Sequence, residues 1–413
     1  MWFPAKKKQT GEKSAPAGPL SFIHATDLHY ISRSLTDNGP AFRFVADHAD
    51  GKTLLYVTEL VQAFLAEVKI KKPEVLILGG DLSFNGEYES HVTLSGMLAE
   101  IKDAGIRVLV IPGNHDIDYS GAAAFSGTEI KKARTISAAE FRSLYGPFGY
   151  DGALSRAPDT LSYMAEVGGI FRILMLDTST VSMCALTGKT LAWAEKVLKD
   201  SAKKRIPVLA VSHQNLMAHN PMFSAGFRIQ GAEKLLKLYR DTGVLANLSG
   251  HMHLQHIRKE GLTEIATSAL SLSPNQYGEL AFDGKTLEYR NCPADVSAWA
   301  AASGAEDPNL LDFTDYAERY ARDGAVRQAL SQLSKGPGAK LPEDEKKQLA
   351  ETFSRLNYAY FAGHRVPLED LGEGIARWKG QEESFLRAYI RTILRDAEAG
   401  KDYHHCTITR EET

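Results

Sequence analysis

The chain has 413 residues, of which 44% are hydrophobic and 24% are charged, and its formal net charge is -3. This length allows one large domain with a smaller one, and the composition is typical of a globular protein rather than a disordered one. Without a strong positive charge the chain lacks a general means of holding nucleic acid, so such a partner is disfavoured. Three scattered cysteines are too few for a disulfide framework or a thiolate zinc site.

The N-terminal residues 1–19 are predicted to form a flexible leader. They carry four lysines among proline, glycine and serine, and they lack the apolar core of a signal peptide. No run of 18 or more apolar residues occurs in the chain, so we expect no transmembrane segment. As the sequence stands we expect a cytoplasmic protein, and an exported or membrane-anchored one if the true start lies upstream.

Strand and helix patterns alternate from residue 20 to about residue 290, which predicts an α/β domain. Hairpin signals at Gly168-Gly169 and Asp283-Gly284 indicate that its sheets are not purely parallel. Amphipathic spacing predicts crossover helices at 53–71 and 87–104, and a capping box predicts a third helix at 137–145. Five short apolar runs, each ending in polar residues, are predicted to be buried strands: 20–25, 75–79, 108–111, 208–211 and 244–248.

The remainder of the chain has a different pattern. Residues 291–310 are predicted to form a loose linker, and residues 311–413 a helical C-terminal domain. Two apolar stripes are predicted to form the core of this helical domain: Leu349, Phe353, Leu356 and Tyr360 in one, and Trp378, Phe385, Leu386, Tyr389, Ile390 and Ile393 in the other.

Potential metal ligands follow the predicted strand ends. A pair of metal ions needs several oxygen and nitrogen ligands, including a carboxylate that can bridge both ions. The segments after the five strands supply this mixture: Asp27, His29, Asp81, Asn114, His213, His251 and His253. In an extended segment alternate residues point the same way, so Asp27 with His29, and His251 with His253, are expected to point into one cleft, with Leu28 and Met252 facing the core.

Four further polar residues lie near these motifs and are not predicted to bind metal. Glu87 and His91 are predicted to lie on a solvated helix face, and Asn85 to bond its own backbone. Asp177 ends an apolar run, but the ligand set is complete without it, so it is predicted to be structural.

The ordered motifs DLH, GGD, GNHD, SH and GHMH resemble those of the calcineurin-like metallophosphoesterases over residues 20–290. Segments 80–91, 140–153 and 357–363 are similar to a bacterial branch that has a helical C-terminal domain and is associated with cyclic-nucleotide phosphodiesterase activity. The resemblance implies a four-layer α-β-β-α sandwich of two mixed sheets. It also implies one metal held by Asp27, His29, Asp81 and His253, and a second held by Asp81, Asn114, His213 and His251.

The resemblance further implies a mechanism. Two cations bind phosphoryl oxygens and ionise a bridging water, which attacks the phosphorus. His115 is then expected to protonate the leaving oxygen, and Asp116 to orient His115 by a hydrogen bond to its ring. Imidazole and carboxylate ligands suit manganese, iron, zinc, nickel or cobalt, and the resemblance favours manganese or iron.

These observations predict a phosphodiesterase that hydrolyses cyclic nucleotides or other small diesters. The same centre serves phosphomonoesterases and nucleotide pyrophosphatases, which are the alternative enzyme classes. An alternative of another kind is a metal-binding scaffold that has lost catalysis. The sequence leaves the oligomeric state and the role of the helical domain open.

Overall fold

The computed structural model describes residues 18–401 and 403–410, so most of the predicted leader lies outside the described residues. Alternating apolar residues form the following strands: β1 (Leu20–Ala25), β2 (Val75–Leu78), β3 (Arg107–Val110), β4 (Ala123–Ser126), β5 (Glu129–Lys132), β6 (Ser155–Arg156), β7 (Tyr163–Val167), β8 (Phe171–Leu176), β9 (Val208–Ser212), β10 (Val244–Ser249), β11 (His256–Lys259), β12 (Thr263–Ala266), β13 (Gln276–Phe282), β14 (Thr286–Pro293) and β15 (His405–Thr409).

Helices follow from the amphipathic spacing and are ended by glycines or polar caps. In chain order they are α1 (Pro40–Asp47), α2 (Val57–Lys71), α3 (Tyr88–Asp103), α4 (Ala138–Leu144), α5 (Gly188–Lys203), α6 (Ala232–Asp241), α7 (Val296–Ala302), α8 (Pro308–Leu311), α9 (Phe313–Leu333), α10 (Glu343–Phe361), α11 (Gly372–Gly380) and α12 (Phe385–Glu398). The capping box predicted for α4 is present, with Ser137 and Glu140 bonding each other's backbone.

The strands form two large mixed sheets and one small hairpin, β4-β5. The first sheet has the order β15-β14-β13-β1-β2-β3, and the second has the order β11-β12-β10-β9-β8-β7-β6. β1, β2 and β3 are parallel, as are β8, β9, β10 and β12, whereas the two predicted hairpins β7-β8 and β13-β14 are antiparallel. Both hairpin predictions are confirmed.

The two sheets pack face to face. The ring of Phe171 on β8 lies 5.1 Å from that of Phe22 on β1 and 5.0 Å from that of Phe282 on β13. Because side chains alternate along a strand, the neighbouring Leu174 and Leu176 face the opposite way and pack with α5 and α6. Helices α2 and α3 cover the outer face of the first sheet, so the predicted four-layer α-β-β-α architecture is confirmed.

The stretch 291–310 is not the loose linker that the sequence suggested. It contains the end of β14, all of α7 and the first part of α8. Asp295 accepts a hydrogen bond from Ala298 N at 2.9 Å and so begins α7, while Val296 and Ala300 are buried in the main core. The burial of these side chains holds the segment in a regular structure. Its apolar stretch is short, so the sequence showed no periodic pattern there. The division into domains at residues 290 and 310 stays a prediction.

Helices α9 to α12 bury a second core. Every residue of the two predicted stripes lies in this core except Phe385. Phe385 is 56% exposed, because it occupies the first turn of α12 at the edge of the bundle. The bundle docks on the α/β region: Asn220 Nδ2 donates to Tyr360 OH and Thr392 Oγ1, and His256 Nε2 lies 3.2 Å from Asp396 Oδ1. In the part of the chain that the structure describes, no helix is both long and apolar enough to cross a membrane.

Residues His405–Thr409 form a strand rather than a helix, which corrects the prediction for this part of the C-terminal region. β15 pairs antiparallel with β14, with Tyr289 opposite Cys406. Cys406 and Tyr403 lie in the main core, whereas His405 and Thr407 on either side of Cys406 are exposed. This short alternation follows a long helical region, and its pairing partner is more than a hundred residues away in sequence, so helix periodicity alone did not reveal it.

Candidate metal centre

The strand ends bring the predicted ligands together between the two sheets. One ligand atom from each of Asp27, His29, Asp81 and His253 forms a group in which all atoms lie within 4.8 Å of one another. Asp81, His213 and His251 form a second such group, and Asp81 belongs to both. The structure therefore places six of the seven predicted ligands as two adjoining clusters that share one carboxylate. Their role as ligands stays a prediction.

The seventh predicted ligand, Asn114, lies in the turn after β3. Its Oδ1 accepts a hydrogen bond from Gln214 Nε2 at 3.3 Å, which leaves the second lone pair of that oxygen for another partner. Gln214 Nε2 also donates to Ser179 Oγ at 3.0 Å. Gln214 therefore orients the Asn114 amide, and the sequence analysis missed it because a glutamine beside a histidine carries no recognisable signal.

The donor atoms suit cations. His29 Nε2 lies 3.2 Å from His253 Nε2, His253 Nε2 lies 3.3 Å from Asp27 Oδ1, and His213 Nε2 lies 3.2 Å from Asp81 Oδ2. His213 Nδ1 donates to Gly79 O at 3.0 Å, so in the neutral ring Nε2 carries the lone pair that faces the cluster. Nitrogen and carboxylate donors without thiolate match first-row transition-metal ions, so the residues present fit a pair of such ions.

Electrostatics in the cluster also favour positive charge. Burial lowers the pKa of His213, but the adjacent Asp81 carboxylate, with Asp27, outweighs burial and raises that pKa to about 9. Burial likewise raises the pKa of Asp81, and the surrounding His213, His115 and His29 rings outweigh it and hold that pKa well below its usual range. The carboxylates are therefore kept as anions, which is the state in which they bind cations.

The backbone of the ligand segments differs from the extended form that the sequence analysis assumed. Left-handed φ angles occur at five of the predicted ligands: Asp27 (54°), His29 (45°), Asp81 (48°), His251 (66°) and His253 (56°). Backbone bonds from Asp27 N to Gly80 O and from His29 N to Asp81 O, both 3.0 Å, join the first two turns and hold them in this shape. Such conformations cost free energy and cluster at functional sites. Leu28 and Met252 nevertheless pack into apolar cores, as predicted.

Two glycines allow the turns to approach each other. A Cβ atom at Gly113 would overlap the Asp81 carboxylate, and one at Gly250 would overlap Thr26 Oγ1 and Asp27 Oδ2. Any side chain at either position would displace a predicted ligand. Glycine at these two positions therefore permits close approach between the ligand turns.

His115 lies at the edge of the clusters, but its partner is not the predicted one. Its Nδ1 pairs with Asn85 Oδ1 at 2.9 Å, and its ring stacks on Tyr119 with 4.7 Å between centroids. Burial lowers the pKa of His115, and the Lys52 ammonium lowers it further, while Asp81 raises it. The predicted bonding of Asn85 to its own backbone is therefore wrong, since its side-chain oxygen accepts from His115.

Asp116 does not orient the His115 ring, so that prediction is wrong. Its buried carboxylate accepts hydrogen bonds from Gly113 N at 2.8 Å, Ser83 N at 2.8 Å, Ser83 Oγ at 2.9 Å and Leu82 N at 3.1 Å. These four hydrogen bonds occupy both carboxylate oxygens. They fasten the turn after β3 to the turn after β2. Asp116 thus supports the backbone that carries Asp81 and Asn114.

Glu87 and His91 lie inside the protein rather than on a solvated helix face. Both are 0% exposed, because the α4 region covers this side of α3. His91 Nε2 donates to Asp116 O at 3.0 Å, and Tyr145 OH donates to His91 Nδ1 at 2.9 Å. Asp177, in contrast, is structural as predicted, since it accepts from Leu161 N, Ser179 N and Thr180 N.

Burial of Glu87 has a measurable consequence for stability. Loss of solvation raises the pKa of Glu87 from 4.5 to about 7. The folded chain therefore binds this proton more tightly than the unfolded chain, and the free energy of unfolding should fall between about pH 4.5 and about pH 7 by on the order of 3 kcal/mol. In Glu87→Gln this part of the pH dependence should disappear, as measured by urea unfolding at several pH values. Identical pH dependence in both proteins would contradict it, and Glu89→Gln, on the exposed side of α3, is the control.

The helical region contacts the surroundings of the metal clusters through the loop that contains Gly226, as well as through Met252. His251 Nε2 donates to Gly226 O at 2.8 Å, and the His251 ring lies 5.2 Å from that of Phe227. Phe223 packs between Phe227 and Tyr389 of α12, at 5.2 and 5.6 Å. The C-terminal helices therefore support the wall of the cleft beside His251.

Comparison with known proteins agrees with this geometry. Residues 20–255 match the family model described as calcineurin-like phosphoesterase. That match covers more than half of the chain, so the protein belongs to the calcineurin-like phosphoesterases. Residues 295–400 match the model described as the C-terminal domain of cyclic nucleotide phosphodiesterase. The family implies phosphoester hydrolysis with two divalent metal ions, for which the Asp and His clusters provide a site.

No curated protein matches the chain. Among solved structures, a dimetal phosphatase from Danio rerio is 14% identical, with a TM-score of 0.49 over 66% of this chain and 96% of its own. GAP50, the anchor in the inner membrane complex of Plasmodium, is 11% identical, with a TM-score of 0.38 over 67% and 85% of the two chains. At such low identity a similar fold does not carry over a substrate or a partner.

Proposed function

We propose that this phosphoester hydrolase is a phosphodiesterase that acts on cyclic nucleotides or other small diesters. The observation that carries this proposal is the match of residues 295–400 to the C-terminal domain of cyclic nucleotide phosphodiesterase, in a chain whose other part is a calcineurin-like phosphoesterase. Contact between the helical region and the cleft wall at Phe227 supports a link between that region and substrate choice.

In this proposal the two clusters hold two metal ions. Asp27, His29, Asp81 and His253 hold one, and Asp81, Asn114, His213 and His251 hold the other, with manganese or iron the favoured elements. When bound, such ions supply Lewis-acid stabilisation of phosphoryl charge and make a water molecule acidic enough to act as the nucleophile. The donor set of imidazoles, carboxylates and one amide supports this assignment.

The residues of the chain then position the reacting groups. His115 is the proton donor to the leaving oxygen in its imidazolium form. Asn85 accepts from its Nδ1–H, so the proton on Nε2 is the one that is transferred. Tyr119 stacks on the same ring and restricts its rotation. Gln214 holds the Asn114 amide, and Asp116 fixes the turn that carries both Asn114 and His115.

Hydrolysis of five substrates by manganese-loaded protein tests the proposal. We expect turnover of bis-p-nitrophenyl phosphate and of 2′,3′- or 3′,5′-cyclic nucleotides to exceed that of p-nitrophenyl phosphate, measured as kcat/KM on one preparation. Dominant turnover of the monoester would replace the diester proposal with a phosphomonoesterase, and release of a mononucleotide from a dinucleotide polyphosphate would indicate a pyrophosphatase. Full metal loading without hydrolysis of any ester would indicate the scaffold alternative.

A further inference from the structure

Lys52 is a buried cation that the proposed mechanism does not use. It follows α1, and only 8% of the residue is exposed. Its Nζ makes no hydrogen bond or ion pair to any other described residue. The other lysine that is buried among the described residues, Lys346, pairs with Glu343 at 2.8 Å. The Nζ atom itself is not fully buried, so a nearly enclosed ammonium without a protein partner is available to bind an anion from solvent.

The backbone at Lys52 lies directly beside the metal clusters. Lys52 forms an isolated β-bridge with Leu272, and Thr53 N and Oγ1 donate to Ser271 O at 2.8 and 2.9 Å. Ser271 in turn donates to Asp27 O from its N at 3.3 Å and from its Oγ at 2.8 Å. One residue layer therefore separates Lys52 from a predicted metal ligand.

The charge of Lys52 interacts with Asp50 on its own turn and with two carboxylates of the metal clusters. Burial lowers the pKa of Lys52, and Asp50, Asp27 and Asp81 act against it. The backbone contacts through Ser271 thus place Lys52 beside the turn that carries Asp27, a member of the first metal cluster.

We propose that Lys52 is a substrate-binding residue whose ammonium binds an anionic oxygen of the phosphoester. This inference rests on the proposed function. A protonated lysine has three N–H donors and no lone pair, so Lys52 would bind phosphate and not a metal ion. Its four-carbon stem lets a point charge adjust to the oxygen that it meets. The interaction should be stronger for a phosphate with two negative charges than for one with a single charge.

A purely structural role makes a different prediction. If Lys52 served only to balance the charges of Asp27 and Asp81, its removal would change stability or metal content. It would not change the preference between phosphates of different charge. Phosphate binding and the charge dependence of kinetics therefore separate the two roles.

The experiment compares Lys52→Met with Lys346→Met, which removes the other buried lysine, far from the clusters. Manganese content is matched by elemental analysis, and inorganic phosphate binding is measured by calorimetry. Loss of one charge-assisted hydrogen bond should weaken phosphate binding of Lys52→Met by about tenfold or more, with the control unchanged. The kcat/KM for p-nitrophenyl phosphate should also fall more than that for bis-p-nitrophenyl phosphate. Unchanged phosphate affinity together with equal kinetic losses would overturn the proposal.

Two further comparisons cover a variant that does not fold and a wild-type protein that hydrolyses neither ester. If circular dichroism shows that Lys52→Met does not fold, Lys52→Gln and Lys52→Arg are compared instead, and Arg should retain phosphate binding better than Gln because it keeps the charge. If the wild-type protein hydrolyses neither ester, the proposed function fails. The calorimetric comparison still decides whether Lys52 binds phosphate.

Discussion

Asp81→Asn is expected to lose both metal ions and hydrolytic activity together. Asp81 is the residue common to the two ligand clusters, and its Oδ2 lies 3.2 Å from His213 Nε2 and 3.8 Å from His29 Nε2. The amide keeps the shape of the side chain but removes the negative charge that would offset repulsion between two cations. We expect kcat/KM for bis-p-nitrophenyl phosphate to fall by at least about a hundredfold, and metal content to fall towards zero by elemental analysis.

A matched control shows whether this loss is specific. Asp118→Asn changes an exposed aspartate in the turn that follows Asp116, and both metal content and activity should remain at wild-type values. Circular dichroism establishes that each variant is folded. An Asp81→Asn protein that keeps two ions per chain and normal turnover would show that Asp81 does not bridge metals.

His115→Ala is expected to impair hydrolysis according to the leaving group. A proton donor contributes about 10²- to 10⁴-fold when the departing oxygen is a basic alkoxide, as in a cyclic nucleotide. p-Nitrophenolate departs without protonation, so bis-p-nitrophenyl phosphate should be affected much less. Because His115 lies beside the clusters and is not among the predicted ligands, the metal content should be unchanged. The measurement is kcat for both substrates in the metal-loaded variant.

Two further variants test whether the loss in His115→Ala depends on the position of this histidine. Asn85→Ala removes the acceptor of His115 Nδ1 at 2.9 Å and should reproduce part of the loss with the same dependence on leaving group. His48→Ala removes an exposed histidine that pairs with Phe44 O and should change nothing. Equal losses on both substrates in His115→Ala would indicate a binding role, and no loss on either would remove His115 from the mechanism.

The elements that the sequence predicted well are those with local signals. The strands that carry the predicted ligands are short apolar runs that stop at polar residues, and the structure has strands at all five positions. The spacing of apolar residues located α2 and α3, and paired glycines located the β7-β8 turn. These signals come from residues that are close together in the sequence, so they can be recognised without knowledge of the fold.

The errors lie where distant segments meet. The partner of the His115 ring is Asn85, thirty residues earlier in the chain, and the donors to Asp116 include Ser83 from the preceding turn. Glu87 and His91 are buried only because the α4 region folds over them. Lys52 attracted no notice because a lysine in a polar stretch is ordinarily solvated, and its burial depends on the 271–272 segment.

By itself, the order of aspartates, histidines and one asparagine at the ends of apolar runs determined the family and the set of candidate ligands. It did so because ligand chemistry and strand spacing are both encoded by adjacent residues. Only the tertiary structure decided that these ligands lie on left-handed turns, that Asn85 and not Asp116 holds His115, and that β15 joins the first sheet. Those features arise from hydrogen bonds and packing between segments far apart in sequence, and no local pattern specifies them.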